Sequence, residues 1–169
     1  MSVLKPLFSV VEALLREHQQ LLELATRKKD VLIQNDLEAL NEIVQTEVAH
    51  IHRIERMELE RQGAGRLLAV RAGVPADQLT AERVSQLAET PEERQRMTSL
   101  TDDLRTVILK LKDANDLNQI LIQQSLNLIQ STVEVLTESP SVPNYGGSGQ
   151  TLANNPYQQS RVSYFDSKA

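Results

Sequence analysis

Three histidines are the first residues that could carry chemistry, because an imidazole can bind a metal ion or transfer a proton near neutral pH. His50 follows Glu47 at the Glu-x-x-His spacing that di-iron helical bundles place on two of their helices. Neither His18 nor His52 follows a glutamate at this spacing, so the second half of such a site is missing. His50 and His52 lie about 200° apart around a helix and cannot bind one ion together. The histidines therefore indicate solvated or edge-of-core positions, and no metal or cofactor is expected.

An acid and an amide one helical turn apart form a second candidate site. Asp30 and Gln34 have the spacing with which helical phosphatases of response regulators position a water molecule. A single spacing between two polar residues arises by chance in many polar helices. The sequence also lacks cysteine, a Gly-rich loop ending in Lys-Ser/Thr and a Gly-x-Ser-x-Gly motif. An enzyme is therefore not expected, and the phosphatase is kept only as an alternative function.

The composition fits one elongated domain better than a binder of nucleic acid. The 169 residues carry a formal net charge of −5, whereas nucleic-acid binding needs a basic surface. Hydrophobic residues make up 40%, below the share typical of globular domains, as expected where each helix buries one stripe. No apolar run is long enough to span a membrane, and the amino terminus lacks the pattern of a secretory signal. The protein is therefore expected in the cytoplasm.

Prolines divide the chain into two long windows that can be helical. None lies between Pro6 and Pro75 or between Pro91 and Pro140, and a proline inside a helix costs about 3 kcal/mol. The first stripe at heptad spacing comprises Leu4, Phe8, Val11, Leu15, His18, Leu22, Ala25, Lys29 and Leu32. After a turn at Asn35-Asp36, the second comprises Leu37, Leu40, Val44, Val48, Ile51, Ile54, Leu67 and Leu68. Both stripes predict helices that pack along their length on partner helices.

A third long helix is predicted after a short element at residues 81–88, which Thr80 caps. Thr90, Pro91 and Glu93 have the types and spacing of a helix start with a capping box. The helix should run for about 45 residues, or about 70 Å. Its stripe comprises Met97, Leu100, Leu104, Val107, Leu111, Ala114, Leu121, Leu128 and Leu136. The predicted fold is all-α: an elongated antiparallel helical hairpin or three-helix, coiled-coil-like bundle at residues 1–138.

The remaining residues, 139–169, are predicted to be a flexible tail, because they are rich in Gly, Pro, Ser, Asn and Gln. Four of the chain's five aromatic residues nevertheless lie there. Aromatic side chains are typical anchors at protein interfaces. The tail is therefore expected to carry short docking motifs, at Tyr145, Tyr157, Tyr164 and Phe165.

Asn115 and Asn118 interrupt the apolar stripe of the third helix. Amides on a packing face can fix the register between helices or bind the backbone of a partner. An exposed polar edge explains the two residues equally well. All three interpretations stay open at the level of the sequence.

Four stretches in order resemble a known family. They are the Leu-rich helix at residues 12–24, the turn at residues 30–40, the segment at residues 72–87, and the pattern formed by Asn115, Asn118, Leu121, Ile122, Ser125 and Leu126. Together they cover most of residues 1–138 and resemble the FlgN family, the cytoplasmic chaperones of flagellar type III export. The resemblance implies binding of the C-terminal helical regions of the hook–filament junction proteins, FlgK and FlgL, and delivery of both to the export apparatus.

The resemblance and the stripe of the third helix together lead to two site hypotheses. Client binding is expected at Asn115, Asn118, Leu121, Ile122, Ser125 and Leu128. By analogy with the family, the aromatic residues of the tail are expected to contact the export gate. A generic coiled-coil adaptor or structural oligomer is the alternative from another class, and self-association stays open.

Overall fold

The computed structural model describes residues 4–137, and every element in that range is helical or a turn. Four α-helices follow in chain order: α1 (Lys5–Gln34), α2 (Leu37–Ala72), α3 (Ala81–Gln86) and α4 (Pro91–Thr137). A short 3-10 turn (Ala76–Gln78) lies between α2 and α3. The predicted all-α bundle is confirmed. The predicted tail at residues 139–169 lies outside the described residues.

The ends of the first two helices follow from local residue types. Asn35 ends α1 in the left-handed conformation, with φ 56°, which asparagine tolerates better than most residues. The Asp36 carboxylate then accepts a hydrogen bond from the backbone N–H of Ala39 and caps α2. Gly73 ends α2 at φ 65°, where a residue with a side chain would be strained.

The predicted start of α4 is confirmed, and so is its unusual length. The backbone N–H of Glu93 donates to Oγ1 of Thr90, and Pro91 is the first helical residue. The Glu93 carboxylate accepts from the backbone N–H of Glu89, one residue before the position that a standard capping box uses. With 47 residues, α4 is about 70 Å long.

Helix α1 lies between α2 and α4 and packs against both. Lys28 of α1 meets Glu47 of α2, while Glu17 meets Arg53, so α1 and α2 are antiparallel. Glu12 pairs with Arg96 of α4, and the Ala25 carbonyl accepts from Asn118, so α1 and α4 are parallel. Short α3 packs against α4, and the 3-10 turn packs against α2.

The contiguous cluster of buried apolar residues occupies one half of the bundle, whereas the other half buries Ala25, Val31 and Ile43 outside that cluster. We call residues 4–21 and 54–111 the proximal half, and residues 22–53 and 112–137 the distal half. The core cluster of buried residues lies entirely in the proximal half: Leu4, Leu7, Phe8, Val10, Val11, Leu14, Leu21, Ile54, Leu68, Val84, Met97 and Leu104. The four buried polar residues all lie in the distal half: Lys28, Glu47, His50 and Asn118.

The predicted buried stripe of α2 was partly wrong. Ile54 and Leu68 are buried as expected, but the face that packs on α1 in the distal half comprises Ile43, Glu47 and His50. Leu37, Val48, Ile51 and Leu67 are exposed instead. A search for apolar spacing misses this face because two of its members are polar side chains that are buried against partners on α1.

Candidate functional site

Helix α4 extends past the end of α1. Since Asn118 bonds to Ala25 and the two helices are parallel, Gln34 at the end of α1 is level with about residue 127 of α4. All twelve residues from 126 to 137 are exposed. The last three turns of α4 therefore have no partner helix among the described residues.

The unpartnered part of α4 keeps an apolar face, which we call the α4 stripe. Its members alternate at spacings of four and three residues, as in a helix that packs on another helix: Ile122, Leu126, Ile129, Val133 and Leu136. All five are exposed, Leu136 by 78%. No charged residue occurs at positions 117–133, so the stripe is flanked by amide, hydroxyl and apolar side chains.

A second uncovered apolar face, the α2 stripe, lies in the distal half of α2. It comprises Leu37, Leu40, Val44, Val48 and Ile51. Leu40 and Val44 are half-buried, and the other three are exposed. The contacts of Lys28 with Glu47 and of Ala25 with Asn118 place this stripe level with about residues 117–131 of α4.

Two pairs of residues show on which side of the bundle these stripes lie. Positions 18 residues apart are separated by five full turns and share one side of a helix. On α2, Ala69 in the proximal half is 2% exposed, whereas Ile51, five turns away on the same side, is 39% exposed. On α4, Leu104 in the proximal half is 8% exposed, whereas Ile122, five turns away on the same side, is 38% exposed.

The difference in exposure between the proximal and distal halves comes from the connection between α2 and α4. In the proximal half the 3-10 turn lies on α2 and α3 lies on α4, and Val84 of α3 belongs to the core cluster with Leu104. The distal half has no such element among the described residues. The α2 stripe and the α4 stripe therefore border one open apolar cleft along α1, which we call the distal cleft.

Polar contacts hold the distal half together beneath this cleft. Nζ of Lys28 donates to Oε2 of Glu47 at 2.7 Å, with both side chains about 10% exposed. On α1, Glu17 lies 2.6 Å from Nδ1 of His50 and accepts from Nε of Arg53 at 3.0 Å. Pairing of this kind is what allows charged groups to be buried at a helix interface.

The ionisable groups of α1 respond to this packing. Burial would raise the pKa of Glu17, but the hydrogen bonds from His50 and Arg53 and their positive charge hold it below its usual value. Burial lowers the pKa of His18, and the hydrogen bond of its Nδ1 to the Leu14 carbonyl offsets only part of that effect.

Asn118 fixes the contact between α1 and α4. It is 2% exposed, and its Nδ2 donates to the Ala25 carbonyl at 2.8 Å. Its Oδ1 is buried without a hydrogen-bond partner among the described residues, a state that costs about 1–3 kcal/mol. Of the three interpretations of the amides, the setting of helix register therefore describes Asn118 in this structure.

The other residues named for client binding are distributed over two sides of α4. Leu121 and Ser125 are half-buried, on the side of Asn118. Asn115, Ile122 and Leu128 are exposed. The sequence pattern therefore mixes residues that pack on α1, one member of the α4 stripe (Ile122) and exposed residues outside that stripe, and it omits the α2 stripe.

The remaining candidate residues lie at separate places in the described part of the chain. Asp30 and Gln34 are exposed at the end of α1, where the Asp30 carboxylate lies 3.9 Å from Nζ of Lys29. His52 is exposed, while His50 is buried against Glu17. Residues 4–137 contain no group of three or more His, Asp or Glu that could hold a metal ion. The aromatic residues proposed for the export gate lie outside the described residues.

Comparison with known proteins gives one match. The family model described as FlgN protein matches residues 1–153, which is most of the chain. No curated protein and no solved structure matches the sequence. Within residues 4–137, no helix is long and apolar enough to cross a membrane.

Proposed function

The chain belongs to the FlgN family and is a flagellar export chaperone, and from this premise we propose which proteins it binds and where. Its clients are the hook–filament junction proteins FlgK and FlgL, which it binds through their C-terminal helical segments in the cytoplasm. Binding covers an apolar surface of the client, prevents early assembly and carries the client to the type III export apparatus. This function requires a binding surface and no catalytic residue or cofactor.

The observation that carries this proposal is the exposed α4 stripe. An amphipathic client helix needs an apolar surface with helical spacing, and the stripe provides residues at i, i+4, i+7, i+11 and i+14. A soluble protein normally buries a face of this length or uses it for binding. Among the residues named for client binding, we infer that Ile122, a member of the α4 stripe, contacts the client directly. Leu128, two residues after Leu126, is exposed on another side of α4. Asn118 acts by holding α4 on α1.

We assign the two roles of an export chaperone to two parts of the chain. The helical domain, residues 1–138, binds the client, and residues 139–169 dock on the export gate through Tyr145, Tyr157, Tyr164 and Phe165. Each aromatic side chain that the partner buries contributes about 1.5–3 kcal/mol before the entropic cost of association, which suits a contact that must be released.

If the tail docks on the export gate, changes in the tail should affect export of the client but not binding of the client. Replacing Tyr157, Tyr164 and Phe165 with alanine should leave client affinity unchanged in isothermal titration and reduce secretion of the junction proteins. Normal secretion by this variant would show that the aromatic residues do not act at the gate. Loss of client binding would place the tail in the client site.

The exposed α4 stripe also favours one alternative, a structural oligomer in which two copies cover each other. Positions 117–133 carry no charge, so two stripes could meet without repulsion. The adaptor hypothesis predicts a stable oligomer that does not change when a junction protein is added. Sedimentation of the chain with and without the client segment distinguishes the two functions.

The proposed function is tested by titrating the full chain with the C-terminal segments of FlgK and FlgL. We expect binding that Ile122→Asp weakens more than tenfold, because a carboxylate without a partner is costly to bury against an apolar client. Leu109→Asp is the control, since Leu109 is 57% exposed on α4 but lies outside the α4 stripe. Absence of binding by the wild-type chain, or equal loss in both variants, would contradict the proposal.

A further inference from the structure

We propose that the distal cleft has two binding walls and that the client inserts one amphipathic helix between them, contacting the α2 stripe as well as α4. This inference rests on the proposed function, because it takes the client helix as the occupant. It adds a wall on α2 that is absent from the client-binding residues named from the sequence and the family resemblance.

The proximal half shows what kind of element fits this position. There, α3 packs against α4 and places Val84, at 6% exposure, in the core cluster. Leu87 and Ala88 pack against the same cluster, so the segment contacts the bundle through positions i, i+3 and i+4. The chain thus fills the proximal position with an amphipathic helical segment.

The distal cleft repeats the geometry of that position without the filling segment. Ile122 is five turns after Leu104 on α4, and Ile51 is five turns before Ala69 on α2, so the walls continue the sides that are covered in the proximal half. Ile51 and Ile122 are near 40% exposed, against 2% for Ala69 and 8% for Leu104, so each wall is less covered where the connection between α2 and α4 is absent. A helix in the cleft would bury both walls at once.

The walls also define the chemistry of the occupant. The α2 stripe spans 15 residues, or about 20 Å, which matches a helix of about four turns. The stripes are aliphatic, and positions 117–133 of α4 are uncharged. The occupant is therefore a helix with aliphatic residues at i, i+3 or i+4 and i+7, and with uncharged polar residues beside them on the side that faces α4.

The test changes α2 alone in the full chain. Val48→Gln combined with Ile51→Gln should weaken binding of the FlgK C-terminal segment at least tenfold in isothermal titration. Both side chains are exposed, so the fold should be kept, and circular dichroism checks this. If the double variant loses helicity, Val48→Gln alone replaces it, with an expected loss of at least threefold. Leu59→Gln is the control, because Leu59 is 69% exposed on α2 in the proximal half and should leave affinity unchanged.

The outcomes separate this inference from the proposed function. If Ile122→Asp weakens binding but the α2 variants do not, the client uses α4 alone and the two-walled cleft is wrong, while the proposed function stands. A wild-type chain that binds neither junction segment would overturn both.

Two other occupants would also overturn the inference. A dimer that Val48→Gln dissociates in sedimentation would assign the cleft to a second copy of the chain. An increase in client affinity when Tyr157, Tyr164 and Phe165 are replaced with alanine would assign it to the chain's own tail.

Discussion

The proximal and distal halves are built from the same three long helices but differ in the side chains that they bury. The proximal half buries aliphatic side chains from all four helices and exposes mainly polar ones. The distal half buries a lysine, a glutamate, a histidine and an asparagine beside three apolar residues, Ala25, Val31 and Ile43, and leaves two aliphatic stripes largely uncovered. A chain can therefore keep an apolar binding surface exposed if polar pairs, which apolar clients cannot replace, hold the supporting helices in place.

This division has a physical advantage for a chaperone. If the distal half were held together by apolar packing alone, its own stripes would compete to form that packing and close the cleft. Buried polar contacts have specific partners, so they fix which faces meet. Lys28 with Glu47 and Asn118 with Ala25 each join one outer helix to α1 and leave the stripes free.

The largest expected effect comes from breaking the buried ion pair of the distal half. Glu47→Ala leaves the Lys28 ammonium buried without its partner and should lower the free energy of unfolding by about 3–5 kcal/mol. Replacing both residues together, Lys28→Met with Glu47→Leu, should restore most of that loss. Urea denaturation of the two variants measures the difference. Equal destabilisation by the single and double variants would show that the pair does not stabilise the distal half as described.

A pair of equivalent truncations compares the halves directly. Leu104→Ala removes a buried side chain of the core and should cost about 2–5 kcal/mol. Ile122→Ala, five turns away on the same side of α4, should cost about 1 kcal/mol in the free chain, because the side chain is already 38% exposed. Thermal denaturation checks both. A large loss from Ile122→Ala would mean that the cleft is filled in the free protein.

The smallest expected effect is a dependence of stability on pH. The folded chain lowers the pKa of His18, so the unfolded chain binds the proton more tightly. The stability from neutral His18 is complete above about pH 6.5 and is lost as the pH falls below that value. Glu17 adds a second loss as the pH falls below about 4.5, since its folded pKa is also lowered.

His18→Gln separates these two steps. The variant should remove the decrease in melting temperature between pH 6.5 and 5 and keep the decrease at lower pH, as measured by circular dichroism. A melting temperature that still falls between pH 6.5 and 5 in the variant would assign that step to another group.

The sequence predicts the helices better than their packed faces. Thr90 with Pro91, Asp36 and Gly73 determine helix ends through their own backbone and side-chain chemistry, so local reasoning finds them. The buried face of α2 cannot be found in this way, because Glu47 and His50 are buried only through partners on α1. Apolar spacing identified the α2 stripe correctly as an apolar face and wrongly as a buried one.

The site was predictable only in part for a related reason. Apart from Asn115 and Asn118, apolar residues recur along α4 from Leu104 to Leu136, so the pattern does not show where α1 ends. Register supplies that information, and the contact that sets the register is the bond from Asn118 to Ala25, 93 positions apart. The exposure of the α4 stripe, from Ile122 to Leu136, follows from this one contact.

Amide hydrogen exchange of the full chain, with and without the FlgK C-terminal segment, tests the central claim most directly. In the free chain, residues 117–137 of α4 should exchange faster than residues 91–111, because only the latter lie over the apolar core. Addition of the segment should slow exchange at residues 117–133 and 37–51 together and leave residues 91–111 unchanged. Equal exchange along α4 in the free chain, or protection that the client confers on the proximal half, would contradict the account.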